Sequence, residues 1–304
     1  QEWPEVQSGQ LVSVELPHAL PSGMQGFVFN LRNPLFQDIR VRQAITKVLD
    51  FDWINKNLFF GLYHRTTSYF DNSDLKAPPL PDRAEQKLLS LYKNVLPAGT
   101  LDTVFELPNI PMRQALREAL DLLEAAGWSV KEGVLQKDDK PFRFTLLMDA
   151  VSAPVWERIA LPFIAQLRRL GMQVDIQTLD NLQYKTRVDQ FDYDMIVFVW
   201  SESLSPGNEQ EDYWGSLAAE TTGSSNLTGI KSAAIDFLID AIKRAPNRSA
   251  LRTAVHALDR VLLHSYLVVP HWYSPVVRLL HAADLMGPQK MPRQGLDLMT
   301  WWKK

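Results

Sequence analysis

Apolar and polar positions along this chain change period several times, and each change marks an element. Residues 11–16 set Leu11, Ser13 and Glu15 against Val12, Val14 and Leu16, the period of two that a strand requires. Residues 25–31 read as a second strand. Ile39, Val41, Ala44, Ile45, Val48 and Leu49 recur at helical spacing behind Asp38, whose carboxylate suits an N-cap. A second short helix is predicted over 51–60, stopped by Gly61. Irregular chain follows to Pro81, then a short helix over 82–95 and a proline-rich excursion over 96–111. From there the pattern is regular. Helices are predicted over 112–126, 153–170 and 181–189, with Ser152 capping the second, and strands over 142–148, 172–179 and 195–200. This alternation predicts an α/β fold with a mainly parallel sheet covered by helices. Helices over 233–244 and 249–264 and strands over 267–273 and 276–280 complete the reading.

One stretch concentrates chemistry. Met195 to Trp200 is a nearly continuous apolar run, as in a strand buried on both faces. It empties into Ser201-Glu202-Ser203-Leu204-Ser205-Pro206-Gly207-Asn208, and Glu209, Glu211, Asp212, Tyr213 and Trp214 follow at once. Ligands of open α/β sheets bind beyond the carboxyl ends of strands. Trp200, Glu202, Ser203, Ser205, Asn208 and Glu209 are therefore candidate ligand contacts, joined by His271, Trp272 and Tyr273 at the end of a later strand. The plainer alternative is a surface loop with a tryptophan filling its rim.

Composition narrows the function classes. A net charge of −3 leaves no electrostatic footprint for nucleic acid. With no cysteine, disulfides, thiolate metal sites and cysteine nucleophiles are excluded. No apolar run is long enough to span a membrane. The first residues, Gln1-Glu2-Trp3-Pro4, lack an initiator methionine and a signal pattern, and read as the interior of a longer protein. None of the histidines sits at metal-ligand spacing on a helix, and phosphate loops, dinucleotide fingerprints and nucleophile elbows are absent, so no metal or cofactor is indicated. Ser203 and Ser205 lie near acids without a local base. His271 is a distant candidate base, which leaves a hydrolase as one alternative. Glu202, Glu209, Glu211 and Asp212 read either as a glycosidase pair or as solvated loop acids. Arg42 reads either as a ligand contact or, the commoner case, as a structural ion-pair partner, with Asp38 four residues earlier as its mate.

Residues 30–44, Asn30-Leu31-Arg32-Asn33-Pro34-Leu35-Phe36-Gln37-Asp38-Ile39-Arg40-Val41-Arg42-Gln43-Ala44, resemble a signature of periplasmic peptide-binding proteins of ABC transporters, solute-binding family 5. Glu118-Ala119 through Ala126-Gly127-Trp128, Phe191-Asp192-Tyr193-Asp194-Met195 and Val268-Val269-Pro270-His271-Trp272 are similar to other segments of that family. Ser68-Tyr69-Phe70 with Asn72-Ser73, and Ser205-Pro206-Gly207-Asn208-Glu209-Gln210, resemble its Yej-type oligopeptide and microcin branch. The resemblance implies the C-terminal half of a type II-like periplasmic binding protein. Residues 25–275 would be the ligand-binding lobe, and residues 1–24 and 276–304 would return to a second lobe. It further implies a non-enzymatic, monomeric, periplasmic component that holds a peptide or peptide-like solute between lobes and delivers it to an inner-membrane permease. A ligand-sensing domain of a transcription regulator with the same fold is the alternative. In the family an aspartate three residues after the strand's tryptophan meets the peptide ammonium. Ser203 stands there, so Glu202 or Glu209 takes the role, or the ligand's N-terminus is bound differently or blocked.

Overall fold

The computed structural model describes residues 3–107, 109–288 and 290–304. Seven strands organise it: β1 (Leu11–Pro17), β2 (Met24–Phe29), β3 (Arg143–Asp149), β4 (Gln173–Leu179), β5 (Met195–Trp200), β6 (Val268–Pro270) and β7 (Val276–Ala282). The main helices are α1 (Ile39–Lys47), α2 (Met112–Ala125), α3 (Ala153–Arg169), α4 (Glu209–Trp214), α5 (Ala233–Lys243) and α6 (Arg248–His264).

β6, β2, β5, β3 and β4 lie side by side in that order. β3 is parallel to both β4 and β5. β2 runs antiparallel to β5 and to β6, so the other four strands all point one way. Both faces of the sheet's centre are covered, which is why β2, β3 and β5 carry runs of apolar residues, whereas the edge strand β4 alternates apolar with polar residues and buries only Val174. Phe27, Phe29, Phe144, Leu146 and Met195 face α1, α2 and α3 in one core. Met24, Val28, Leu147, Ile196 and Trp200 face α5 and α6 in the other. Each such side chain contributes on the order of 2 kcal/mol on leaving water.

The sequence signature at 30–44 belongs to the end of the sheet where β5 begins. Asn30 donates to the carbonyls of Phe191 and Tyr193 at 2.9 and 2.7 Å, and Asn33 donates to Asp194 at 2.6 Å. The Arg32 guanidinium lies 3.6 Å over the Phe191 ring and bonds the carbonyls of Ala219, Asn226 and Leu227. These residues hold the turn that launches β5.

Two local expectations are corrected. Asp38 does cap α1 through the Arg40 N–H, but its salt bridge is to Arg40 at 2.6 Å. Arg42 is buried instead, with its N–H groups on the carbonyls of Phe36, Gln37, Ser265 and Tyr266. A carbonyl cage satisfies a buried guanidinium's fork of donors without desolvating a second charge. Burial lowers the Arg42 pKa to about 10. At the start of α3 the Ser152 side chain caps nothing and donates to Asp149, whose carboxylate accepts the N–H groups of Val151 and Ser152 at 3.0 Å.

β1 and β7 form a separate antiparallel ribbon, in register from Leu11 opposite Ala282 to Pro17 opposite Val276.

Candidate functional site at the carboxyl edge of the sheet

Four strands deliver their carboxyl ends to one edge: β3 at Asp149, β4 at Leu179, β5 at Trp200 and β6 at Pro270. β2 runs between β5 and β6, and its Gln25 holds both. Gln25 pairs with Val199, and its carbonyl accepts the His271 N–H at 2.8 Å. The two groups of candidate residues therefore sit on neighbouring parts of the same rim. Gly23 permits the crossing beside β5: it has φ +70°, and a Cβ there would lie 2.1 Å from the Trp200 carbonyl oxygen.

Three candidates expected to face a ligand are buried. Trp200 is 1% exposed, because its ring is seated 4.7 Å from Trp214 and its indole N–H is committed to the Ser225 carbonyl at 2.9 Å. His271 is fully buried among Phe27, Trp156 and Trp272, with both ring nitrogens unpartnered, so it touches neither Ser203 nor Ser205. Burial lowers its pKa to about 3, with the Arg65 charge adding to the effect, so the ring is neutral. Trp272 is 8% exposed and packs on Phe59. Tyr273 is half-buried beside His64.

The loop after β5 does reach solvent. Ser203, Ser205 and Asn208 are exposed, and the Ser203 hydroxyl accepts the Ser205 N–H at 3.1 Å. Arg248 fixes the loop to α6 through the Leu204 carbonyl while meeting Asp74 at 2.5 Å. The Glu209 carboxylate accepts the Gly207 N–H at 2.8 Å and closes the Pro206-Gly207 turn. Glu202 points inward. Its Oε2 accepts from the Gln210 amide at 2.8 Å, while its Oε1 is buried without a partner. Burial pushes the Glu202 carboxyl up to about 8, against the downward pull of the Gln210 hydrogen bond and with a further push from Glu209 and Asp259.

Gln210 was not singled out as a contact from the sequence, yet it is fully buried under this loop. The one local signal was a neutral amide set among Glu209, Glu211 and Asp212 at a helix start. The loop containing Ser68-Tyr69-Phe70 is held from beneath by Asp259 of α6, which accepts from the Ser68 hydroxyl and the N–H groups of Tyr69 and Ala77 at 2.7, 2.8 and 3.0 Å. Asp71 accepts the N–H groups of Thr67 and Ser68 and meets Lys76 at 2.7 Å. Burial pushes the Asp259 carboxyl up to about 6.

Among the described residues no three His, Asp or Glu side chains gather to hold a metal ion, and no helix is long and apolar enough to cross a membrane.

An α/β sheet whose loops gather at one carboxyl edge, above a half-buried acid, is of the type that takes small ligands at that edge. The chain belongs to the bacterial extracellular solute-binding proteins, family 5, whose middle segment matches residues 1–221. It is 38% identical over 307 residues to a protein of Brucella suis named as a binding protein, covering 99% of this chain and 49% of that one. It is 34% identical over 310 residues to the probable peptide-binding protein YejA of Agrobacterium fabrum, covering 99% and 50%. The fold superposes on the oligopeptide-binding protein AppA of Bacillus subtilis, in complex with a nonapeptide, with a TM-score of 0.72 at 23% identity, covering 99% of this chain and 54% of that one. The chain thus spans about half the length of the curated relatives it matches.

Proposed function

We propose that this chain forms the ligand-binding lobe of an extracytoplasmic, periplasmic component of an ABC importer, taking peptides or peptide-like solutes and passing them to a membrane permease. The observation that carries the reading is the loop after β5. It stands at the shared carboxyl edge and holds a half-buried carboxyl group, Glu202, with one oxygen unpartnered. Ser203, Ser205, Asn208 and Tyr273 offer polar contacts around it. Trp200, His271 and Trp272 act from below, as the packed floor that fixes where the loop begins. Family membership and the AppA fold support the peptide class. Neither a hydrolase nor a regulator's sensing domain has an observation in its favour.

Glu202 is the better anchor for a ligand amine than Glu209, since Glu209 already closes its own turn. In the full gene product, a tripeptide with a free N-terminus should bind at least about tenfold more tightly than its formylated twin, roughly 1.4 kcal/mol. Glu202→Gln should erase the preference and Glu209→Gln should not. Calorimetry decides it: equal affinities for the two peptides in the unaltered protein would remove Glu202 from the role. Mass spectrometry of solutes that co-purify with the full gene product would identify the natural ligand. Recovery of no peptide-like species would count against the class.

A further inference from the structure

We propose that Glu202 and Gln210 form a closed acid–amide pair that stores a proton, and that an arriving amine cation opens the pair and expels it. The inference rests on the peptide reading above for its ligand, and on the hydrogen-bond accounting for the pair itself. The Gln210 amide N–H reaches Glu202 Oε2 at 2.8 Å. The other oxygens of the same two groups, Glu202 Oε1 and Gln210 Oε1, are both buried and both lack a donor. Two orphaned acceptors on two side chains already in contact are costly, and buried polar atoms are nearly always paired. The amide's only other approach is a long one, 3.5 Å to Glu209 Oε1. In the proposed pair a proton on Glu202 Oε1 is the missing donor, and Gln210 Oε1 is the acceptor it would take to close a ring of two hydrogen bonds.

The surroundings favour that proton. Glu209 and Tyr213 on α4 and Asp259 on α6 bring negative or acidic groups toward Glu202, and among the described residues no Lys, Arg or His pairs with it. A neutral Glu202 at neutral pH agrees with its raised pKa of about 8. Amine capture then balances simply. The alkylammonium enters with its charge, the Glu202 O–H bond breaks, the proton leaves to solvent, and a carboxylate–ammonium pair remains. Gln210 Oε1, freed from the O–H, accepts a second ammonium N–H.

Stability carries the same signature. Because the folded-state pKa of about 8 lies above that of the unfolded chain, the stabilisation is complete below the unfolded value and disappears as pH rises through about 8. Glu202→Gln keeps the ring as an amide–amide pair and removes the proton. The melting temperature of the unaltered protein should therefore fall relative to Glu202→Gln as pH rises from about 5 to about 8.

The test uses the full gene product with 13C-labelled glutamate, the Glu202 carboxyl being assigned by its loss in Glu202→Gln. Without ligand that carbon should show the protonated acid at neutral pH, and titration at an ordinary value of about 4.3 would overturn the pair. Calorimetry at pH 7 with tri-alanine, in buffers of different ionisation heat, should show release approaching one proton; N-acetyl-tri-alanine and the Glu202→Gln protein should show none. Tri-alanine binding without proton release would overturn the exchange while leaving the peptide reading intact. Binding by neither peptide would overturn both the exchange and that reading, and the carboxyl titration would still decide the stored proton.

Discussion

An Arg260→Ala chain should lose about 3–5 kcal/mol of folding stability, enough to threaten the fold at ordinary temperature. Arg260 on α6 is 3% exposed and Glu85, on the short helix Arg83–Ser90, is fully buried. Their side chains meet at 3.1 Å, and the same guanidinium holds the carbonyls of Pro78 and Pro79. Removing the arginine leaves a buried carboxylate whose remaining partner is His256, 3.6 Å away and charged only when protonated. It also releases two carbonyls of the proline-rich connection. A pair built from a charge and its mate behaves asymmetrically: deleting one member costs more than replacing both. Glu85→Gln with Arg260→Met should therefore recover a substantial part of the loss. Urea unfolding midpoints with matched slopes measure this directly. A loss below about 1 kcal/mol in Arg260→Ala would mean that the pair is not desolvated as described.

The second large effect is expected at Trp200. Truncation to alanine should cost about 3–5 kcal/mol of stability, the usual range for emptying a buried tryptophan site. The indole packs on Trp214 and Phe198, at 4.7 and 5.0 Å, and its N–H satisfies the Ser225 carbonyl. Trp214 in turn meets Tyr69 at 5.1 Å, so the cavity would open in the middle of an aromatic stack. Trp200→Phe keeps most of the volume and should fall between the two. Thermal melts combined with peptide calorimetry separate floor from contact. If Trp200→Phe binds peptide tenfold more weakly while melting normally, the indole touches the ligand and its assignment to the core is wrong.

Much of this architecture was legible because strand burial is written into local pattern. Met195 to Trp200 reads as apolar at every position, and Met195, Ile196 and Trp200 are buried as that pattern implies. Val197 and Phe198 are half-buried and Val199 is exposed, because β3 pairs with β5 only at Met195 and Ile196. Direction was less legible. The reversal of β2 leaves the same apolar pattern as a parallel strand, since alternation reports faces and not the sense of the chain. Charged residues were the hardest to place. Arg42 sits four residues from Asp38 on a helix, where pairing is the usual outcome, yet its partners include Ser265 and Tyr266 from the far end of the chain. At the rim, the sequence located the polar loop but not which side chains turn inward. Whether Trp200 faces solvent depends on Trp214 and Ser225, beyond the loop, and the demand on Glu202 arises only when Gln210 is folded beneath it.

The ribbon of β1 and β7 closes nearly the whole chain into one loop, from Pro17 opposite Val276 onward, and the His18 N–H extends the seam to the Pro275 carbonyl at 3.2 Å. Loop-closure entropy grows only with the logarithm of length, at about 0.6 kcal/mol for each doubling. The work of bringing these two strands together is therefore almost indifferent to how many residues lie between them. Surface loops between the two strands are free to lengthen or shorten without loosening the seam, while the loss of the ribbon's hydrogen bonds would free the two terminal segments together and leave β2 and β6 paired in the main sheet.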